Sequence, residues 1–433
     1  MIQIFTIFSF FLTFLFIGQL KPGYIDNRNL PLWSFPFHLT KDRPSAFQLR
    51  AFAIRADKAY DYFGNESNDF GKDYSLCDLD GKYNLARVAK QLELAGYANP
   101  LQDDLRTLDN IPFDSKGKIQ AHGLWFGWFL CPTEHTFLGI DFAVLNASAF
   151  RRYKLKRSYR LAFGNNVSEA LTWQLYRDRQ KASQELNLCG DQYSITGVSD
   201  LDFYFGLQNR FEYCLKLRSL NLSARVGTLI PVSYQDNVFN PAAISLTGEG
   251  KYGIYGRIDV TAELCEDWNL YFWTELLGRT QRCQNFRMLV DTKDFKNNLA
   301  IGVPQGYAPL VGEFIVKPGL TFGLGFWADF AYLRDGWGIN GGYTLIHHQE
   351  DKWNLCCQDK PQYRSSFDEY VRLTTWDAEW FTVGLFHNPM LTQEGWCRYL
   401  PVFYFDWSIP VKMLIAKNAP KTNRISVGLE YNF

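Results

Sequence analysis

The sequence predicts an all-β chain, a transmembrane antiparallel up-and-down β-barrel of about 12 strands (10–14) with short helices in long extracellular loops. Three observations predict it. Beyond residue 45, apolar and polar residues alternate with period two over windows of about ten residues. The connections between those windows alternate between short and long. The chain closes on an alternating segment, 424–433, that ends in Phe433.

The composition agrees. Hydrophobic residues make up 47% of the 433 residues, yet the mean hydropathy is −0.22, so apolar and polar side chains are interleaved. Aromatics reach 17%, with 13 Trp, 24 Tyr and 36 Phe, enough for belts of amphipathic rings at two membrane interfaces. The formal net charge is zero, so no global field favours nucleic acid or another polyanion.

Residues 1–20 are apolar and carry no charge before Lys21, which suits the core of an export signal peptide. No Lys or Arg precedes the run, and Gly18 is the best small residue near its end, so a retained helical anchor stays open as an alternative. Residues 21–44 are expected to form an N-terminal periplasmic segment, and 45–433 the barrel. Beyond residue 20 no run of 18 or more apolar residues occurs, which excludes further membrane-spanning helices.

Alternation is plain in three windows. Leu201, Phe203, Phe205 and Leu207 oppose Asp202, Gly206, Gln208, Arg210 and Glu212. Leu220, Leu222, Ala224 and Val226 oppose Ser219, Asn221, Ser223, Arg225 and Gly227. Ile254, Ile258, Val260, Ala262 and Leu264 oppose Arg257, Asp259, Thr261 and Glu263. A charge at every second or third residue does not suit a strand buried on both faces, but suits one with a wet face. Tight connections are expected at 131–135, 214–215, 265–268 and 333–336, and long ones at 58–117, 150–199, 232–250, 281–310 and 350–368. That sorting belongs to barrels with short turns at one rim and long loops at the other. Later strands are expected at 313–332 (with Pro318–Gly319 at its outer end), 337–348, 370–386, 399–411 and 423–433. Within the long loops, Tyr83–Tyr97 and Ser168–Leu188 show helical spacing; the first ends at Gly96, and the second starts from Ser168 as an N-cap.

The last segment, Arg424 to Phe433, resembles the C-terminal signature of bacterial outer-membrane barrel proteins. Ile425, Val427, Leu429, Tyr431 and Phe433 alternate with Arg424, Ser426, Gly428, Glu430 and Asn432. The resemblance implies an outer-membrane location, contact with outer-membrane lipids and lipopolysaccharide, and recognition of Leu429, Tyr431 and Phe433 by the barrel-assembly machinery. It covers architecture only and points to no particular porin family.

Nine cysteines are many for such a barrel. Cys131, Cys214 and Cys265 are expected at short turns, and Cys77, Cys189, Cys283, Cys356, Cys357 and Cys397 in long loops or at strand ends. No C-x₂-C pair is present, so no metal set is assigned and no cofactor is expected. An exported chain allows disulfides, and the odd count allows a thiol bonded to an envelope partner. In this respect the chain is similar in composition to the cysteine-containing porins of chlamydia-like bacteria, with no shared motif. Mostly unpaired, small apolar cysteines are the competing reading.

The run 151–160 carries six basic side chains. Arg152, Lys154 and Lys156 are candidates for a basic ladder at the pore mouth; a solvated loop touching lipopolysaccharide is the plainer reading. Arg210, Arg218, Arg225, Arg257, Asp259, Glu263, Glu275 and Glu313 are candidate lumen-lining residues. Such mixed charges either set up a field in a wet channel or pair across strands and plug it. His122, His347, His348 and His387 show no spacing to a serine, and no catalytic motif occurs, so no catalytic residue is assigned. The functional expectation is a porin or channel for passive diffusion of small hydrophilic solutes. The rivals are a surface-exposed structural or adhesion barrel acting through its long loops and, less favoured, a lipid-modifying enzyme.

Overall fold

The computed structural model describes residues 45–61, 63–67, 113–155, 183–213, 216–232, 237–246, 248–265, 268–288, 308–334, 336–356, 374–389 and 400–433, with shorter pieces at 24–25, 27–30, 32–33, 82–83, 92–96, 173, 176–177, 180–181 and 371. The proposed signal segment, Ser168, Lys156, Cys77, Cys214, Cys357 and Cys397 lie outside the described residues.

Twelve antiparallel strands close into a barrel. In chain order they are β1 Ala46–Ala56, β2 Phe113–Thr133, β3 Thr136–Leu155, β4 Leu201–Glu212, β5 Ser219–Ile230, β6 Gly253–Cys265, β7 Trp268–Arg279, β8 Thr321–Arg334, β9 Trp337–His348, β10 Trp376–His387, β11 Val402–Val411 and β12 Asn423–Asn432. Each pairs with its neighbours in sequence. β12 closes on β1 from Asn423 opposite Arg55 to Asn432 opposite Ala46. The Phe433 amide then donates to the Ser45 carbonyl at 2.9 Å, so no edge is left at the seam.

Period-two sequence and pleat coincide on every strand. The outward face presents exposed apolar side chains all round, among them Leu124, Val144, Phe205, Val226, Ile258, Leu276, Phe326, Ile339, Val383, Phe405 and Val427. Phe47, Trp128, Tyr213, Trp268, Trp337, Phe403, Tyr431 and Phe433 form an aromatic girdle at the short-turn rim. The Trp268 and Phe330 rings lie 4.9 Å apart there.

The inward face interlocks glycines with aromatic rings on the next strand. Trp273 lies on Gly325, its partner in the β7–β8 ladder, and Trp327 lies on Gly342, its partner in the β8–β9 ladder. A Cβ on Gly325 would stand 2.0 Å from Trp273 Nε1, and one on Gly342 would stand 2.3 Å from Trp327 Cδ2. Only glycine admits a ring folded flat against the wall at these positions.

Short turns at one rim and long connections at the other agree with the expected sorting, with one exception: the 388–401 connection lies at the short-turn rim. Several boundaries differ from the sequence reading. Cys131 is inside β2 and Cys265 ends β6, so neither lies in a turn. β3 runs on to Leu155, and Gln192–Val198 pairs with its outer half, from Phe150 opposite Gln192 to Val144 opposite Val198. The expected strand 313–332 is two strands. Pro318 has no amide to donate, and the ladder breaks there. Its outer part, Leu310–Lys317, instead joins Arg282–Met288 and Lys352–Leu355 in a separate three-stranded sheet. Of the two expected loop helices, Leu92–Leu94 and the described residues between Trp173 and Glu185 are helical, whereas Tyr83 belongs to a short strand, Lys82–Tyr83, paired with Phe113 and Asp114 of β2, and 95–96 and 186–188 lie outside any helix. Among the described residues no helix is long and apolar enough to cross a membrane.

Of the segment expected on the periplasmic side, residues 27–30 lie instead against the barrel interior and the β5–β6 loop. Leu30 is buried among Phe52, Ile54, Ala121 and Leu145 of the barrel interior, and beside Ile244 and Leu246 of the β5–β6 loop. The Asn27 side-chain amide donates to the Ser245 carbonyl at 2.9 Å. The cause is hydrophobic: the long-loop half of the interior wall over β1–β3 is apolar, and Leu30 covers it.

Candidate functional site: the barrel interior and its mouth

Inward alternation brings ionisable side chains from most strands toward one axis, and there they pair. Arg257 on β6 binds Asp259 Oδ1 at 2.9 Å and Glu275 Oε2 of β7 at 3.4 Å, and lies 4.3 Å from the Trp273 ring centre. Arg50 on β1 meets Asp406 on β11 at 2.5 Å. The Tyr255 hydroxyl donates to Asp202 at 2.9 Å, and the Tyr404 hydroxyl to Glu430 at 2.8 Å. Arg225 stands opposite Arg257 in the β5–β6 ladder. None of its three guanidinium nitrogens makes a hydrogen bond; it lies instead 4.9 Å from the Tyr204 ring centre and 6.0 Å from that of Tyr255. Two cations directly opposite each other repel, and the carboxylates of Asp259 and Glu275 offset that repulsion.

The interior is filled. Exposure of inward side chains is 0% at Asp141 and Thr382, 2% at Arg225 and Trp327, and 4% at Arg257. At these levels the described inward side chains leave no water-wide gap beside them. Polar side chains and rings together occupy the lumen of this twelve-stranded wall, as they do in narrower barrels.

Above the filled level, at the long-loop rim, lies a polar cavity of about 70 Å³, roomy enough for one or more waters or a small ion. Arg28, Lys251 and Arg279 line it together with Glu249, Asp351, His348 and Trp376. Arg279 is held by Asp200 at 3.0 Å and by the Lys251 carbonyl at 2.8 Å. His348 bridges Thr321 Oγ1 at 2.8 Å and Asp351 at 3.0 Å.

The residues singled out from sequence fall as follows. Arg225, Arg257, Asp259 and Glu275 are buried on the inward face. Arg210 and Glu263 face inward near the short-turn rim, where they pair at 3.0 Å. Arg218 is exposed in the β4–β5 turn, so it does not line the lumen; its amide donates to the Glu263 carbonyl. Glu313 is exposed on the separate three-stranded sheet, away from the lumen, because the Pro318 break takes it off the wall. Arg152 and Lys154 belong to β3 rather than to a loop, opposite Lys116 and Asp114. Leu429, Tyr431 and Phe433 lie on the outward side of β12, with Tyr431 and Phe433 exposed.

Asp202 and Glu430 stand on faces that the sequence marks as polar, whereas Arg50 and Asp406 escaped the sequence reading. Their signal was present: Gln48 and Arg50 alternate with Phe47, Leu49 and Ala51 as Asp406 does with Phe405 and Trp407. The cavity residues had none, since loops and the N-terminal segment supply most of them.

No protein-family model matches the chain, and no curated protein matches it. In structure it is similar to an outer-membrane channel from Pseudomonas putida F1, at 12% identity and TM-score 0.46, covering 96% of this chain and 100% of that one. It is also similar to the Pseudomonas putida toluene transporter TodX, at 9% identity and TM-score 0.33 over 96% and 99% of the two chains. A third likeness, at 8% identity and TM-score 0.33 over 90% and 99%, is to the β domain of the Bordetella autotransporter BrkA.

Proposed function

We propose that the chain is an outer-membrane channel for small hydrophilic solutes, held closed in this conformation by the paired charges of its interior and by the cover over its mouth. The outward apolar belt and aromatic girdle support a membrane-spanning wall with the long loops outside. The observation that carries the channel reading is the inward set of Arg50, Asp202, Arg225, Arg257, Glu275, Asp406 and Glu430, all buried. Apolar residues of similar volume would fill a merely structural barrel at least as stably. Ionisable groups inside a membrane mark a solute or ion path by default.

Planar-bilayer recording tests this. The wild type is expected to give rare, brief steps. Arg257→Ala/Glu275→Ala and a variant lacking residues 21–33 are each expected to give sustained ones. If both variants fold and stay electrically silent, the channel reading fails. The filled interior favours one rival, a structural barrel acting through its loops, and that silent outcome would leave it standing. Recognition of Leu429, Tyr431 and Phe433 by the assembly machinery is part of the same proposal. Deleting Phe433 is expected to lower the yield of barrel in the outer membrane while leaving refolding in detergent intact.

A further inference from the structure

The three-stranded sheet outside the barrel wall carries a group of side chains that the channel reading does not use. Its buried face is mainly apolar, with Gln284 the buried polar side chain on it: the Phe286 and Trp353 rings stack at 4.3 Å, and Phe314 is fully buried beside them. Its other face presents Cys283, Glu313 and Cys356. The two sulfurs lie 3.1 Å apart, and one carboxylate oxygen of Glu313 lies within 4.8 Å of both.

Register explains the convergence. Leu310–Lys317 is the central strand. Cys283 sits opposite Ile315 on one flank, and on the other the Cys356 amide donates to the Glu313 carbonyl at 3.2 Å, continuing the ladder past Leu355. Alternation puts Cys283, Ile315, Glu313 and Cys356 on one side of the sheet. At 3.1 Å the two sulfurs stand wider than the roughly 2.05 Å of an S–S bond, and both cysteines are free thiols. A metal ion between them adds two bonds of about 2.3 Å.

We infer that Cys283, Cys356 and Glu313 form a binding site for a thiophilic divalent cation of the zinc class, with a fourth position open to water. Two thiolates and one carboxylate match that ion's preferences, and magnesium or calcium would reject the sulfurs. Binding releases the two thiol protons to solvent, and no electron is transferred. The ion would tie the loop after β7 to the loop after β9. Pro318 and Asp351, which line the mouth cavity, follow Glu313 and precede Cys356 by five residues each. Sequence reading missed the set because its members come from two strands and the end of a third, far apart in the chain, and show no metal-ligand spacing.

Titrating cobalt(II) into the full-length barrel, folded in detergent with a phosphine reductant, tests the site. One equivalent is expected to give a thiolate-to-cobalt charge-transfer absorption that zinc bleaches. Cys283→Ser and Cys356→Ser should each abolish the band, and Glu313→Gln should keep it while weakening affinity about tenfold or more (each factor of ten being 1.4 kcal/mol). All three side chains lie on the outward, solvent-facing side of the sheet, and unchanged heat-modifiable gel migration checks that each variant is folded. Absence of the band, its survival in both serine variants, or a Cys283–Cys356 disulfide mapped in protein isolated without reductant would overturn the inference. None of these readouts depends on conduction.

Discussion

Arg50 of β1 reaches across β12 to Asp406 of β11, with Nη1 and Oδ2 2.5 Å apart and both side chains almost wholly buried. Its stem passes over Gly428, where a Cβ would stand 2.4 Å from Arg50 Cγ. Asp406 sits against Gly384 in the same way, and accepts a second bond from Asn340 at 3.3 Å. The pair therefore links strands on both sides of the closing strand. Removing one partner of a buried pair leaves an uncompensated charge and costs about 3–5 kcal/mol, whereas removing both costs far less. Asp406→Ala is expected to lower the urea midpoint of the folded barrel by that order, and Arg50→Met/Asp406→Leu to restore most of it. Equal losses in the single and double variants would refute the coupling.

Glycine at the ring contacts is a second test. Gly325→Ala and Gly342→Ala drive a Cβ into Trp273 and Trp327, a form of overpacking that costs about 1–3 kcal/mol. Gly256 faces outward, and a Cβ there meets nothing within 4 Å. Gly256→Ala should leave the unfolding midpoint unchanged or raise it slightly. If all three behaved alike, the interlock would not be what fixes the register.

At the long-loop rim, hydrogen bonds from Lys421 and Lys58 hold the Glu66 carboxyl at about 2, against its ordinary 4.5. A depressed carboxylate contributes stability that is fully present above the unfolded value and is lost as pH falls through the folded one. The window thus runs from about 4.5 down to about 2. Glu66 is half-exposed, so solvent screening keeps the effect small. The Lys421 amide donates to the Lys58 carbonyl at 2.8 Å and reports on the contact. Its exchange, corrected for the intrinsic rate, should speed up through that window in the wild type and stay flat in Glu66→Gln.

Glu379 faces outward on β10, where lipid would penalise it, and the β11–β12 loop covers it. Its carboxylate accepts the amides of Met413, Leu414 and Ile415 and the Tyr343 hydroxyl. Met413 and Leu414 are themselves exposed, which presents an apolar loop tip just past the end of β11. Charge-assisted bonds of this kind contribute about 1.5–3 kcal/mol each. Glu379→Ala should release the loop, seen as faster amide exchange at residues 413–415, with β10 itself still protected. Unchanged exchange would mean that the loop is held by other contacts.

By itself the sequence determined the wall. Alternation along Leu201–Glu212, Ser219–Ile230 and Gly253–Cys265 placed Arg225, Arg257 and Asp259 on the wet face, because a pleat admits only two directions. Phe433 and the sorted turns set the even strand number and put both ends of the barrel at one rim. Tertiary structure decided everything that depends on which strands and loops meet. Arg225 faces Arg257 only through the β5–β6 register, and Arg50 finds Asp406 only because β12 closes on β1. Glu313 left the lumen when Pro318 broke its ladder, and so came to face Cys283 and Cys356. Leu30 is buried at the mouth because the interior of β1–β3 is apolar there, a property of three strands together that no local pattern in residues 21–44 records.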